Sequence, residues 1–443
     1  MSVKQENGST NQQESITNGA NQEQSGQLDK AAKLLDRAFD LTQHIESDFT
    51  KADIFAQVGI SQINLGLDSS QIILSLETLL AKEGQIYDQR IQKKIEEVQQ
   101  SQGIFPTVEQ PYNENWHVAV DQTRMYERAT AKVKHGLSPQ EELDTVLHDI
   151  HETYDRSEYP LQSIEEYLQF ISKAFVLTGK RHQDILDKVI DFIETNSAGR
   201  ESEMNVGFWF EKLAITHATL GDFDQAIQAS DRISGYNPIV ETQTKGRAYM
   251  HIAQKQIEAG NFQDAINTAQ TGVDTIFNSE VSPEHLHVYP EHEETYSVAL
   301  FLSMIAEAKA SLGDDATADF TQATEYALTT VSSGQWMNRV LMDIAQRQAN
   351  VGLDPRPILE TALLKLDGIP FEEDYDGMLD FVYKIGGYED LVSLQAKMGH
   401  ISDAYTTLER IETIHQNNSD FPLDAEIAVS LCHIAIAEAQ KAA

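Results

Sequence analysis

Leu213 to Ile227 reads LAITHATLGDFDQAI, and Ile252 to Ile266 reads IAQKQIEAGNFQDAI. The two stretches share one pattern: a small residue, a Gly seven positions later, and an Ala five positions after that. A recurring helix–turn–helix unit cannot bury its apolar face alone, so copies of it stack. The pattern therefore predicts an all-α fold, an α-solenoid of stacked antiparallel helical hairpins, eight or nine in number.

Working outward, turn glycines recur at Gly66, Gly136, Gly179, Gly221, Gly260, Gly313, Gly352 and Gly399, with steps of 70, 43, 42, 39, 53, 39 and 47 residues. Each is expected to end a helix in the left-handed region that glycine enters without steric cost. The first step is long enough to hide one degenerate unit. Asp222, Asn261, Asp314, Asp354 and Ser402 follow the glycines and suit turns and helix N-caps. Ala214, Ala253, Ala306 and Ala345 precede the Gly by seven, and Ala226, Ala265, Ala318 and Ala404 follow it by five. Small side chains there let two helices approach. Leu220, Leu312, Val351 and Met398 stand before the Gly and are expected to fill the space beneath it.

The chain begins with Gln, Asn, Ser, Gly and Glu, and residues 1–27 read as a disordered tail, because they have too little apolar surface to offset ordering entropy. From Leu28 a helix face appears at Ala31, Leu34, Leu35, Ala38, Leu41 and Ile45. The solenoid is expected over 28–443, clearest over 201–443 and degenerate over 101–200, with Ile427 to Ala439 as a capping helix.

These spacings resemble the tetratricopeptide repeat, in which a small residue, a turn Gly, an aromatic two later, an Ala five later and often a Pro seventeen later recur. Here they match Ala214, Gly221, Phe223, Ala226 and Pro238, with Gly59 as the small residue of an early unit. The next unit keeps the pattern from Gly246 but has Phe277 where Pro is expected, and later units lose the aromatic. The resemblance implies a right-handed superhelix whose first helices line a concave groove. Two stripes would then face a partner: Arg247, His251, Gln254 and Glu258, and Arg339, Asp343, Gln346 and Asn350. Some members of that family hold a terminal carboxylate in a Lys/Asn/Arg clamp. The matching positions here include Glu211, Met250 and Met342, which form none.

Charge narrows the partners. Seventy acidic residues against 33 basic ones give a net charge of −37. Such a surface repels phosphate backbones and anionic lipid, so neither nucleic acid nor membrane is an expected partner. A basic protein or peptide would be drawn to it. One cysteine, Cys432, excludes an internal disulfide, and with no apolar leader the expected location is cytoplasmic.

Chemistry finds little support. There is no nucleophile elbow or phosphate loop, and Cys432 in AVSLCHIAIAEAQ reads as a small core residue. His148, His151 and Glu152 lack the zinc-protease spacing. Phe371 to Asp380 is acidic but lacks calcium-loop spacing and reads as an inter-repeat loop. The insertion 277–296 holds His285, His287 and His292 among glutamates and could ligate a metal. Phe208, Trp209, Phe210 and Trp336 read as core filling. The expectation is a non-enzymatic interaction scaffold or adaptor without a cofactor. One alternative is a regulatory sensor whose superhelix responds to a ligand or partner. The other is a metal-dependent protein or enzyme using 277–296.

Overall fold

The computed structural model describes residues 10–82, 88–105, 122–156, 161–198, 204–234, 238–278, 294–330, 334–369, 375–417 and 423–441. Among them are nineteen helices and no strand: α1 (Thr10–His44), α2 (Asp48–Asn64), α3 (Ser70–Lys82), α4 (Asp88–Ser101), α5 (Gln122–Lys134), α6 (Gln140–Arg156), α7 (Leu161–Thr178), α8 (Gln183–Ser197), α9 (Met204–Leu220), α10 (Phe223–Asp231), α11 (Pro238–Glu258), α12 (Phe262–Phe277), α13 (Glu294–Ser311), α14 (Thr317–Thr330), α15 (Gly334–Asn350), α16 (Arg356–Asp367), α17 (Tyr375–Lys397), α18 (Ile401–Asn417) and α19 (Asp424–Gln440). The expected all-α class is what the chain adopts. Two compact units result, one from residues 108–368 and one from 1–107 together with 369–443.

All eight expected turn glycines have positive φ, and so does Gly103, which splits the 70-residue step between Gly66 and Gly136. Gly221 shows why the residue must be glycine. Its φ is 82°; its N–H donates to Ala218 O at 3.1 Å, and the Asp222 N–H donates to His217 O at 2.8 Å. This double bond pattern closes the end of α9 and needs a left-handed residue between helix and turn.

The turns fall into two lengths. After Gly221, Gly260 and Gly399 the next helix starts two residues on; after Gly66, Gly136, Gly179, Gly313 and Gly352 it starts four on. In four of the longer turns a side chain two residues past the Gly accepts from a backbone N–H two further on. These are Asp68, Ser138, Asp315 and Asp354, at 2.9, 3.3, 3.1 and 3.1 Å. Such local caps satisfy N–H groups that the first helical turn leaves unpaired. In the shorter turns Asp222 and Asn261 stand at the N-cap without a side-chain cap bond. Ser402 lies inside α18, not before it.

Turn length also shifts the packing register. Ala226, Ala265 and Ala404, five after a short turn's Gly, are buried. Ala318, expected to do the same, is exposed, because α14 begins two residues later and turns Phe320 into the core instead. Leu312 is likewise exposed, whereas Leu220 is buried. Ala214, Ala253, Ala306 and Ala345 are fully buried, as expected. At Gly59 a Cβ would stand 2.9 Å from Ile72 Cγ2, and at Gly272 it would stand 2.3 Å from Phe301 Cζ, so α2–α3 and α12–α13 approach closer than any side chain allows. Trp209 and Phe210 are buried, and the Phe192 and Trp209 rings meet edge-on at 5.9 Å.

In the unit from 108 to 368, helices pack in chain order. α5, α7, α9, α11, α13 and α15 each pack on the following helix, and each but the last packs on the next of the set. We call these the first helices. The other unit is joined differently. α2 packs on α3 and α4, and α17 on α18, but α19 packs on α1, α2, α17 and α18. The two ends of the chain thus supply one helical pair, α1 with α19. This corrects the reading of Ile427 to Ala439 as a cap. A cap keeps one polar face, whereas α19 buries Ile427, Ala428, Leu431, Cys432, Ile434 and Ala435 on several sides. A helix apolar all round needs neighbours all round. α1 begins at Thr10, inside the stretch expected to be a tail, and buries Ala31, Leu35, Ala38 and Thr42.

Candidate functional site

Successive first helices of the 108–368 unit lie against each other, so residues three and four apart on each form a shared face. One contact recurs at fixed register: a residue ten before one turn Gly meets a residue thirteen before the next. Tyr126 and Glu166 hold these positions on α5 and α7, and Glu211 and Arg247 hold them on α9 and α11. Burial, then the Glu166 charge, raises the pKa of the Tyr126 phenol. Arg247 donates to both Glu211 carboxylate oxygens, Nε at 2.8 Å and Nη2 at 3.1 Å, and to Thr244 Oγ1 at 3.4 Å. Glu211 is only 3% exposed, so the guanidinium is what makes its charge tolerable there.

A second network joins three first helices. Arg347 on α15 donates to Glu307 Oε2 on α13 at 2.5 Å and, across α13, to Gln254 Oε1 on α11 at 2.8 Å. Asn350 donates to the other Glu307 oxygen at 2.8 Å and accepts from Gln346 at 2.9 Å. Gln254 donates to Glu258 at 3.1 Å, and Lys255 does so at 2.7 Å. Arg347 and Gln254 thus bridge α15 and α11 through their side chains.

The structure thus gathers the expected residues in two ways. Arg247 forms the first network; Gln254, Glu258, Gln346 and Asn350 belong to the second. They are engaged with one another, where an open polar stripe had been expected. The reason is the density of opposite charge at helix spacing: a carboxylate beside a guanidinium is better paired than hydrated when both are half-buried. His251 lies between the networks. Burial, then Lys255, lowers its pKa against the pull of Glu258, so it is neutral at pH 7, and its Nε2 is buried without a hydrogen-bond partner among the described residues. Asp343 and Arg339 are exposed on α15. Asp343 keeps solvent access, yet the atoms crowding it strip enough water to raise its pKa above the ordinary range, against the pull of Arg347 and Arg339. Arg347 Nε and Gln348 Oε1 are also buried without hydrogen-bond partners. Glu307 and Arg347 were not anticipated. Each stands one or two residues from a core alanine, Ala306 or Ala345, which is the only sequence signal that they turn toward this face.

The other candidates separate. His148 pairs with Glu152 at 3.5 Å on an exposed face, while His151 Nδ1 meets Tyr167 Oη at 2.5 Å, so the two imidazoles serve different neighbours. Cys432 is buried, and desolvation pushes its thiol up to about 12, which leaves it an unreactive core residue. Trp336 stands in the first turn of α15; the histidines of 277–296 lie outside the described residues, and so does the start of the acidic run from Phe371; α17 begins within that run, at Tyr375. Among the described residues no group of three or more His, Cys, Asp or Glu could hold a metal ion, and no helix is long and apolar enough to cross a membrane. No model of a known protein family matches the chain, and no curated protein matches it.

Proposed function

We propose that the protein is a non-enzymatic interaction scaffold, an α-solenoid of tetratricopeptide-like pairs whose first helices hold an extended peptide or a partner helix. The observation that carries this reading is the Arg347–Gln254 contact over α13. It ties α11, α13 and α15 together along one face, and helical faces of this kind can receive peptides. The face is self-neutralised by its Glu–Arg pairs, so it selects by hydrogen bonding and shape. The site of action is placed in the cytoplasm on composition, with its one thiol buried.

The test is a peptide array probed with the purified protein, followed by crosslinking of the tightest binder and mass-spectrometric mapping. Crosslinks should fall on 247–258 and 339–350, and Arg339→Glu and His251→Ala should each weaken binding at least tenfold. Crosslinks elsewhere with undiminished binding in both variants would remove this face as the site.

A further inference from the structure

The register that pairs Glu211 with Arg247 occurs again in the unit built from both chain ends. Glu389 on α17 stands ten residues before Gly399, as Glu211 stands ten before Gly221. Glu426 lies in the first turn of α19, and its charge acts on Glu389 across the α17–α19 packing. α17 packs on α19 as α9 packs on α11. In one place a carboxylate meets a guanidinium; in the other it meets a second carboxylate.

Among the described residues the second pair has no lysine or arginine acting on it; only His415 opposes the rise of Glu426. Burial, then Glu426, then Asp390, pushes Glu389 up to about 7. Burial also raises Glu426, with Asp424 adding to the rise and its own backbone N–H and His415 opposing it. His433, which feels Asp390, is lowered by burial and stays neutral at pH 7. Hydrogen bonding is incomplete as well. Among the described residues Glu426 Oε2 and the Ser430 hydroxyl are buried without a partner. Ser430 is fully buried, and one helical turn places it on the Glu426 face. Both glutamates remain half-buried, so part of each side chain is open to a ligand even though Glu426 Oε2 is covered. A metal would need a third ligand that is not assembled among the described residues.

We propose that the Glu389–Glu426 face binds a basic side chain, an arginine or lysine of a partner protein, as Glu211 holds Arg247 from within the chain. Two facing carboxylates match the planar donor fork of a guanidinium. The overall charge of −37 draws such a partner in from a distance. The proposal does not depend on the α11–α15 face and survives if that face binds nothing.

The experiment uses the full chain and a fluorescent acetylated Gly-Arg-Gly-Arg-Gly peptide, titrated by anisotropy at pH 7.5 in about 0.15 M salt. Glu389→Gln/Glu426→Gln should weaken binding at least tenfold, and Glu426→Arg, which supplies the guanidinium internally, should weaken it at least as much. Asp36→Asn/Asp40→Asn, which removes two exposed charges on α1, should leave binding unchanged. Binding should also release protons between pH 5.5 and 7.5, seen as a buffer dependence of the heat, because the cation holds both carboxylates ionised. The peptide binding Glu426→Arg as tightly as the parent would overturn the proposal. Equal losses in the two double variants would do the same, reducing the effect to general acidity. Glutamine mimics the protonated acid and keeps the fold, so the first variant separates binding from stability.

Discussion

Glu211 and Glu389 each stand ten residues before a turn Gly, and the charges around them are opposite. Across from Glu211 is Arg247, bonded to both carboxylate oxygens. Across from Glu389 is Glu426, and both acids are raised by burial and by neighbouring negative charge. Backbone packing alone therefore does not decide what such a face does. One side chain makes it either a closed internal pair or an unanswered charge. Native proteins rarely leave buried charge uncompensated without a functional reason.

The largest effect that could break this comparison is expected at a largely buried pair of the candidate face, Arg347 with Glu307. Arg347→Ala strands the buried Glu307 carboxylate and should cost ~3–5 kcal/mol in urea denaturation, while Arg347→Met/Glu307→Leu should recover most of it. A neutral single variant would show that the cross-helix network does not stabilise the fold. Arg247→Ala should cost less, roughly 2–3 kcal/mol, because that guanidinium is partly exposed and screened.

The pH dependence comes next. Glu389 is raised in the folded state, so between its ordinary value near 4.5 and about 7 the folded chain holds more protons than the unfolded one. Its contribution therefore falls as pH rises through that window, by roughly 1–2 kcal/mol after allowance for partial solvation. Glu389→Gln should flatten that slope in denaturation midpoints from pH 4.5 to 7.5; an unchanged slope would assign it to other groups. Glu426→Arg should instead stabilise the chain by about 1 kcal/mol at pH 8, by recreating the Glu211–Arg247 arrangement. A destabilised Glu426→Arg protein would mean that the two places are not equivalent.

The smallest effect tests the ruler used for the register. Gly221→Ala should cost about 1 kcal/mol, since φ is 82° there and a Cβ meets nothing within 4 Å, so the penalty is purely conformational. A thermal scan showing no loss would argue against the left-handed turn.

Much of this was legible residue by residue. The sequence pattern picked out every positive-φ glycine of the described residues except Gly103, which is followed by Ile-Phe-Pro. Ala318 misled because the sequence pattern assumes one turn length, and two extra residues move the buried position to Phe320. At the candidate site, helix spacing put Arg247, Gln254, Gln346 and Asn350 on the right faces. It could not show that they would bond to Glu211, Arg347 and Glu307, which lie far away along the chain.

Helices, their turns and their apolar faces were settled by the sequence alone, because those depend on neighbours within about four residues and on the φ each residue tolerates. Which carboxylate meets which guanidinium was a matter for the tertiary structure, as was the pairing of α1 with α19. Lys30 on the first helix reaches Glu438 on the last, 408 residues away. Nothing local encodes that meeting: it follows from α19 being apolar on more sides than α17 and α18 can cover, which leaves a surface that the start of the chain must bury.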